Sequence, residues 1–560
     1  MIKIAALLVA LMMLISRENI VTVTEPQILF DRAFYHPGET MHAQIVVAAG
    51  AKITATIGDK SETVATLEAV VSDGKASLEW TPPNTAPHGY GLDIQVLDTD
   101  GQTVGFLSTA FDVLERWIQA PRYGFLTQFQ AGRDDIDETM RWLTRYHVNG
   151  LQYYDWQYRH ENLLPPTDVY ADVLGKEMSL TVVKQLIDAA HAYNIASMPY
   201  TAIYGASEAF YETHKAWALY KSPDEPHRLG DHLFVIMDPS QGSPWAVHLL
   251  NDFANVLDNT KFDGIHIDQY GAPKDGIDAS GKEVQLDTVF PTFVNDAVEV
   301  VHQKRGADGV TIFNLVGNWP VETVAPSKED AVYIEVWPPD KEFMDLHRIV
   351  ANAQKLGGGK PVIIAAYILP ERTTNVRLAN ALIFASGGFY LELGEPGKLL
   401  ADPYFPKYGT LNDNQKDVLA RYFDFMVRYE NVLSLGTSDV TDTRAKALTI
   451  ADVRTQSLRS RDRVAVIVRE GQGFETFNLV NLLGLDHPNW DEALNSTPTP
   501  VSDLKVKVEV SRPVSRVWAA SPDDNNLALQ AVPFTAEDNA INFTLPRLDY
   551  WSMILVEYTS

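Results

Sequence analysis

FDGIHIDQYG, residues 262–271, has the pattern of a buried strand that also carries a histidine and two acidic residues. Burying an unpaired carboxylate costs several kcal/mol, so Asp268 is paired, lies near the end of a strand, or takes part in function. Side chains alternate along a strand, which places His266 and Asp268 on one face and Ile265 and Ile267 on the other. This pattern predicts a strand whose isoleucines pack beneath helices and whose polar residues point inward.

The same kind of apolar run recurs along the middle of the chain and alternates with amphipathic helical patterns. The eight runs are YGFLTQF, GLQYYDW, ASMPYTAIYG, GIHIDQYG, VTIFNLVG, AVYIEVW, PVIIAAYI and GGFYLELG. Such alternation predicts a parallel sheet, and eight repeats predict a (β/α)8 TIM barrel. The connection after the fifth run, NWPVETVAPSKED, contains two prolines and predicts an irregular segment in place of a regular helix.

Regions with strand patterns flank the predicted barrel, which we place at residues 117–433. Short alternating runs broken by proline and glycine predict an immunoglobulin-like β-sandwich over residues 20–116. Strand patterns return after the barrel and predict a C-terminal β-sandwich over residues 434–560. A chain of 560 residues exceeds what one core usually organises. The expected fold is therefore multidomain, with a central (β/α)8 barrel between two β-sandwiches.

The N-terminus and the composition limit the location and the partners. Residues 1–19 begin Met-Ile-Lys and continue with an apolar run, which predicts a signal peptide or an N-terminal anchor. We therefore expect a secreted, periplasmic or cell-surface protein, attached to a membrane only through this segment. The formal net charge of -27 disfavours nucleic acid as a partner.

Several common catalytic chemistries are absent from the sequence. The chain has no cysteine, which excludes disulfides and thiol nucleophiles. It has no phosphate-loop, HExxH, EF-hand or GxSxG spacing, so neither a metal site, a cofactor nor a serine triad is expected.

The carboxyl ends of the predicted strands carry the candidate functional residues, because active sites of such barrels form at that end. These ends are rich in carboxylates, amides and aromatic rings, which suit a sugar through hydrogen bonds and ring stacking. Asp268 ends the fourth strand and Glu335 ends the sixth. The candidate substrate-binding residues are Asp155, Tyr154, Trp156, His160, His266, Gln269, Asn318 and Trp337.

Two acids that converge on the barrel mouth match the requirement of glycoside hydrolysis. One ionised carboxylate attacks the anomeric carbon, and one protonated acid donates to the leaving oxygen. We assign Asp268 as nucleophile and Glu335 as acid/base, and a retaining mechanism predicts carboxyl groups about 5–5.5 Å apart. Structural roles stay open, since Asp155 can pair with Arg159 and Trp156 can belong to the core.

The stretches GLQYYDWQYRHENLLP, FDGIHIDQYG and VYIEVWPP resemble glycoside hydrolase family 66, which contains endo-dextranases and cycloisomaltooligosaccharide glucanotransferases. The order of the predicted domains resembles that family too. The resemblance implies net retention, with Asp268 as nucleophile and Glu335 as acid/base. It also implies that Asp155 binds the sugar on the nonreducing side of the cleavage point.

The resemblance implies an endo-hydrolase of α-1,6-glucosidic linkages that acts on dextran and releases isomaltooligosaccharides. The resemblance also implies that the cyclising members carry an extra carbohydrate-binding module inserted in the barrel. No strand-to-strand segment of this chain has room for such a module, which favours the hydrolase. A glucanotransferase remains an alternative. An α-amylase-like enzyme resembles this chain in its fourth-strand aspartate but has an arginine two residues before it. This chain has His266 at that position, which disfavours the α-amylase-like interpretation. A non-catalytic surface glucan-binding protein is disfavoured because both acids are present.

Overall fold

The computed structural model describes residues 27–48, 50–230, 233–455 and 461–559. The predicted signal peptide or anchor at residues 1–19 lies outside the described residues. Within them, no helix is both long enough and apolar enough to cross a membrane.

A nearly closed sheet of eight parallel strands forms the centre of the molecule, consistent with the predicted (β/α)8 barrel. The strands neighbour one another in chain order, as the alternation of strands and helices predicts. Their bounds are β1 Tyr123–Leu126, β2 Gly150–Tyr153, β3 Ala196–Ala202, β4 Gly264–Asp268, β5 Val310–Val316, β6 Ala331–Glu335, β7 Val362–Ala365 and β8 Phe389–Tyr390.

The sheet approaches closure where β1 meets the segment after β8. The Phe125 amide donates to the Leu393 carbonyl oxygen at 3.1 Å. This approach requires a glycine, since a Cβ at Gly394 would stand 2.0 Å from the Phe125 carbonyl oxygen. Glycine is the residue that permits two backbones to come this close.

Helices surround the sheet and follow the strands in sequence. Their bounds are α1 Ile136–Arg145, α2 Leu180–Ala192, α3 Pro244–Asn259, α4 Leu286–Arg305, α5 Val321–Val324, α6 Phe343–Leu356, α7 Thr373–Ala385 and α8 Asp413–Arg428. Polar caps define several starts: the Ser179 side chain accepts from the Val182 amide at α2, and Ser243 precedes the first-turn Pro244 of α3. The α5 segment has only four residues, which confirms the irregular connection predicted there.

The loops between these elements contain short strands and two further helices. The strands are Val169–Ala171, Glu177–Ser179, Gly205–Ala206, Tyr220–Ser222, Glu225–Pro226, Arg228–Leu229, Phe234–Ile236, Asp275–Ile277, Glu283–Gln285, Lys398–Leu399 and Gly409–Thr410, with helices Glu208–Thr213 and Glu430–Leu433 nearby. Five of these eleven strands and one of the two helices lie between β3 and β4, which is the longest connection expected from the sequence.

Two sandwiches of antiparallel sheets accompany the barrel. The N-terminal sandwich has sheets of three and four strands: Gln27–Phe30, Met41–Val46 and Lys75–Trp80 face Glu62–Val70, Lys52–Asp59, His88–Leu97 and Thr103–Val113. The C-terminal one has sheets of six and four: Ser438–Asp439, Val464–Gly471, Phe474–Asn481, Trp551–Tyr558, Val514–Ala520 and Gln530–Ala531 face Leu448–Ile450, Val501–Glu509, Ala540–Leu548 and Phe534–Glu537. The immunoglobulin-like assignment and the boundaries 20–116, 117–433 and 434–560 remain predictions.

Buried ion pairs join the N-terminal sandwich to the barrel. Asp112 at the end of the sandwich accepts two hydrogen bonds from the Arg122 guanidinium, at 2.7 and 3.0 Å, and both side chains are fully buried. Asp93 pairs in the same two-point manner with Arg428 of α8, at 2.9 and 2.7 Å. The two-point geometry offsets the cost of removing these charges from water.

Candidate active site

A cavity of about 240 Å³ opens at the carboxyl ends of the barrel strands, where the sequence places the functional residues. Polar and aromatic side chains alternate around it. The lining residues are Gln152, Tyr154, Tyr200, Asp268, Gln269, Tyr270, Asn314, Val316, Tyr333, Glu335, Trp337, Tyr367, Pro403 and Phe405. Both predicted catalytic acids therefore face the same cavity.

One asparagine joins the two acids. Asp268 is the last residue of β4, Glu335 is the last residue of β6, and Asn314 lies on β5 between them. The Asn314 side-chain Nδ2 donates to Asp268 Oδ1 at 2.7 Å and to Glu335 Oε2 at 2.8 Å. Because both oxygen atoms touch one nitrogen, they stand no more than about 5.5 Å apart, which is closer than the roughly 6.5–9.5 Å typical of inverting glycosidases.

Aromatic donors hold the outer oxygen atoms of both carboxyl groups. The Tyr200 hydroxyl donates to Asp268 Oδ2 at 2.7 Å. The Trp337 indole Nε1 donates to Glu335 Oε1 at 2.8 Å, and the Tyr367 hydroxyl lies near enough to Glu335 to oppose the rise of its pKa. Each acid is therefore fixed on two sides, which preorganises the pair for chemistry.

Both carboxyl groups of the pair have raised pKa values. Burial, and then the neighbouring Glu335, raise the pKa of Asp268 to about 7, against the opposing hydrogen bonds from Tyr200 and Asn314. Burial likewise raises the pKa of Glu335 above its ordinary value. Two carboxyl groups this close resist being ionised together, so the pair retains one proton near neutral pH.

The layer below the acids is packed with rings, and it corrects one expectation. His266 is 1% exposed, its Nδ1 lies 3.2 Å from the Tyr123 hydroxyl, and its ring packs edge-on against Tyr333 at 4.9 Å. Burial lowers the pKa of His266 to about 3, so the ring is neutral. His266 therefore supports the floor of the site and does not reach a substrate. Its inward parity alone had suggested that it would.

Trp156 also differs from its expected role. Its side chain is fully buried, packs on Phe262 at 4.9 Å, and donates from Nε1 to the Tyr200 carbonyl oxygen at 3.2 Å. The indole holds the β3 backbone in place beneath the lining residue Tyr200, and Trp156 itself is not among the lining residues. The core alternative for this tryptophan is thus the correct one.

Asp155 lies in the turn after β2, with a backbone φ of 52°. This left-handed conformation is one that aspartate tolerates better than most residues. Arg159 instead donates to the carbonyl oxygens of Tyr158 and Ala171, and no ion pair joins it to Asp155 within the described chain.

Asp155 is not among the residues that line the cavity, although it follows the lining residue Tyr154 directly in the chain. Its charge acts on the phenol groups of Tyr154, Tyr200 and Tyr270, all of which line the cavity. Burial, and then the nearby Asp172, raise the pKa of Asp155 to about 7. Asp155 is thus a third acid with a raised pKa, besides Asp268 and Glu335.

The other predicted contacts divide between the cavity and its surroundings. Tyr154 lines the cavity and stacks on Phe405 at 4.3 Å. Gln269 lines it too, although its side chain is occupied with the Trp319 carbonyl oxygen and the Gly271 amide. His160 and Asn318 lie outside the lining, and their contact with substrate stays a prediction.

Both of these outlying residues have local roles. His160 is buried against Phe234 at 4.5 Å, and burial lowers its pKa to about 4. Asn318 forms the turn after β5, with its amide donating to the Leu315 carbonyl oxygen.

The structure adds residues that the candidate list did not include. Asn314 and Tyr200 stand at strand ends, where the same alternation rule could have selected them. Tyr367 lies two residues after the end of β7, at a position whose alternation points inward, so the sequence pattern could have identified it as well. Phe405 comes from the loop after β8 and has none, because its place depends on the path of that loop.

Comparison with known proteins assigns the family. The model of glycosyl hydrolase family 66 matches residues 30–555 of this chain. The chain belongs to glycosyl hydrolase family 66. As a family member it is an enzyme that acts on glycosidic bonds, and the cavity with its acid pair is the candidate active site.

Relatives in the family have two kinds of activity. The chain is 22% identical to a cycloisomaltooligosaccharide glucanotransferase of Niallia circulans, over 95% of this chain and 72% of the relative. It is 21% identical to a dextranase of Streptococcus salivarius, over 87% of this chain and 69% of that relative.

Among solved structures, the chain resembles a cycloisomaltooligosaccharide glucanotransferase of Paenibacillus sp. complexed with cycloisomaltoheptaose. The TM-score is 0.88 at 21% identity, and the match covers 94% of this chain and 99% of that one. At this identity the likeness establishes the shared fold.

Proposed function

We propose that this family 66 enzyme is a retaining endo-hydrolase of α-1,6-glucosidic linkages in dextran, which releases isomaltooligosaccharides. The observation that supports it best is the acid pair bridged by Asn314, which stands closer together than the roughly 6.5–9.5 Å typical of inverting enzymes. The linkage preference rests on the family and its dextranase member. Dextran is too large to enter a cell, so the proposal also places the enzyme outside the cytoplasm.

The proposed mechanism has two displacements. In the first, Asp268 attacks the anomeric carbon while the Glu335 proton passes to the glycosidic oxygen, and the leaving sugar departs. In the second, the Glu335 carboxylate takes a proton from water. The water oxygen then bonds to the anomeric carbon as the bond to Asp268 breaks. The pair needs one proton at the start, which matches the raised pKa values of both acids.

Substrate is held by the groups opposite the catalytic pair. β2 and β6 stand four positions apart in the eight-stranded sheet, so the lining residue Tyr154 lies across the mouth from Glu335, and Asp155 follows Tyr154 in the chain. The proposal assigns Asp155 to hydroxyl groups of the attacked sugar, and Tyr154 to its C–H face. The raised pKa of Asp155 fits a group whose natural partner arrives with the substrate.

A second candidate function is cycloisomaltooligosaccharide synthesis, favoured by the names of the glucanotransferase relatives. Against it, the alignment with the Niallia circulans relative extends over 703 positions, whereas this chain has 560 residues. That relative therefore carries internal segments with no counterpart here. This difference agrees with the absence of room for a further module in the barrel connections.

The test is release of reducing ends from dextran and from soluble starch, with wild type beside Asp268→Asn and Glu335→Gln. Asp258→Asn, which alters an exposed acid paired with Lys304, is the matched control. We expect cleavage of dextran alone, lost in both acid variants and kept in the control. Nuclear magnetic resonance of the first products should show the α-anomer.

Two other outcomes would contradict the proposal. Soluble sugar released without matching reducing ends would indicate cyclisation. No release from dextran would contradict α-1,6 hydrolysis altogether.

A further inference from the structure

Trp337 is the exposed ring of the active site. Its side chain is 37% exposed, although its indole N–H is committed to Glu335 Oε1 at 2.8 Å. The ring lines the cavity and lies 6.0 Å from the Tyr367 ring, with the planes tilted by 59°. An indole whose edge is bonded to the acid and whose face remains open can bind a flat apolar surface, such as the C–H face of a pyranose.

The position of Trp337 identifies the sugar that it would contact. The proposed acid/base must stand beside the glycosidic oxygen, between the attacked sugar and the leaving sugar. Tyr154 lines the opposite wall, at the end of β2, where the attacked sugar is proposed to bind. The open face of Trp337 therefore belongs to the side of the leaving sugar.

We propose that Trp337 forms the acceptor subsite and thereby sets the partition between hydrolysis and transfer to another glucan chain. This inference rests on the proposed function. In the second displacement, an acceptor hydroxyl takes the place of water and gives its proton to Glu335. Its oxygen bonds to the anomeric carbon, and the bond to Asp268 breaks. A sugar stacked on Trp337 presents that hydroxyl to Glu335, whereas an empty subsite leaves the step to water.

The two features of the indole can be tested separately. Trp337→Phe keeps a ring face and removes the N–H donor, whereas Trp337→Leu removes both. The matched control is Trp518→Leu, because Trp518 is half-buried in the C-terminal sandwich and also donates from Nε1 to a glutamate, Glu557, at 3.0 Å. Melting temperatures show whether each variant is folded.

The first measurement is the ratio of transfer products to hydrolysis products from isomaltotetraose. We expect Trp337→Leu to lower this ratio about two- to tenfold, the size of one aromatic contact, and Trp518→Leu to leave it unchanged. Trp337→Phe should keep the ratio within about twofold. In the pH profile of Trp337→Phe activity, the alkaline limb should move to higher pH, because losing a donor raises the pKa of Glu335.

The second measurement does not depend on turnover. Isomaltose is titrated into Asp268→Asn protein with and without Trp337→Leu, and the second change should weaken binding about two- to tenfold. Equal affinity in the two proteins, or no binding to either, overturns the inference. An unchanged transfer ratio in folded Trp337→Leu protein overturns it too. Dextran left uncleaved by wild type contradicts the proposed function instead, and weaker binding in the double variant still supports the subsite.

Discussion

Replacing Asn314 with leucine removes the one amide that holds both catalytic acids. Leucine has nearly the same shape, so it fills the site without the donors that reach Asp268 at 2.7 Å and Glu335 at 2.8 Å. A hydrogen bond to a charged group contributes about 1.5–3 kcal/mol. Its loss disfavours the ionised carboxylate, so the pKa of the acid that is charged rises by about 1–2.

The consequence is measurable in the pH dependence of kcat/KM. In the proposed mechanism Asp268 must be ionised to attack, so the acidic limb of the profile should move to higher pH by about 1–2 units. At the wild-type optimum, kcat/KM should fall about 10- to 150-fold, which is the same free energy expressed as a rate. Because the two acids are coupled, the limbs report the pair and not either residue alone.

Two companion variants sharpen the test. Tyr200→Phe removes a donor from Asp268 only, so it should move the acidic limb more than the alkaline limb. Tyr153→Phe is the control, because its hydroxyl lies 3.1 Å from the Ser197 hydroxyl and away from both acids. Limbs of Asn314→Leu that coincide with those of wild type, in a folded protein with kcat/KM within twofold, would refute the reasoning.

Three further predictions concern buried charges. Asp155→Asn should abolish most turnover without lowering the melting temperature, since Asp155 has no pairing with Arg159 to lose; a lower melting temperature with normal turnover would contradict this. Burial raises the pKa of Asp268 to about 7 from 3.8, so the folded protein binds more protons between these values and its stability should fall as pH rises through that window. Asp268→Asn should flatten this decline in melting temperature, and parallel curves would count against it. Arg122→Met leaves the buried Asp112 unpaired and should lower the unfolding free energy by about 3–5 kcal/mol in urea titrations.

The exposed ion pair of Arg547 provides the control for the last of these. Its partner Asp549 is within 2.7 Å, but the arginine side chain is 61% exposed. Arg547→Met should therefore change the unfolding free energy by no more than about 1 kcal/mol. If Arg122→Met and Arg547→Met lowered the unfolding free energy equally, the buried pair of Arg122 and Asp112 would contribute no more to stability than the exposed pair.

Strand periodicity alone carried much of the fold. The eight apolar runs became the eight barrel strands, and the proline-rich fifth connection became the four-residue α5. These features are local: a period of two or 3.6 residues and a missing amide donor act over a few residues, so they can be found without knowing the fold. Alternation also placed Asp268 and Glu335 on the inner face of their strands, and the structure brings both to one cavity.

Tertiary structure decided the depth of each residue in the barrel and the contacts between strands. His266 and Asp268 share one face in the sequence, yet only Asp268 reaches the mouth, because the ring layer of Tyr123 and Tyr333 closes over the lower position. Depth depends on the stagger of neighbouring strands, which no single strand encodes. Likewise, the bridge from Asn314 to both acids depends on three strands brought side by side. The sequence therefore determined which residues face inward, and the packed barrel determined which of them meet.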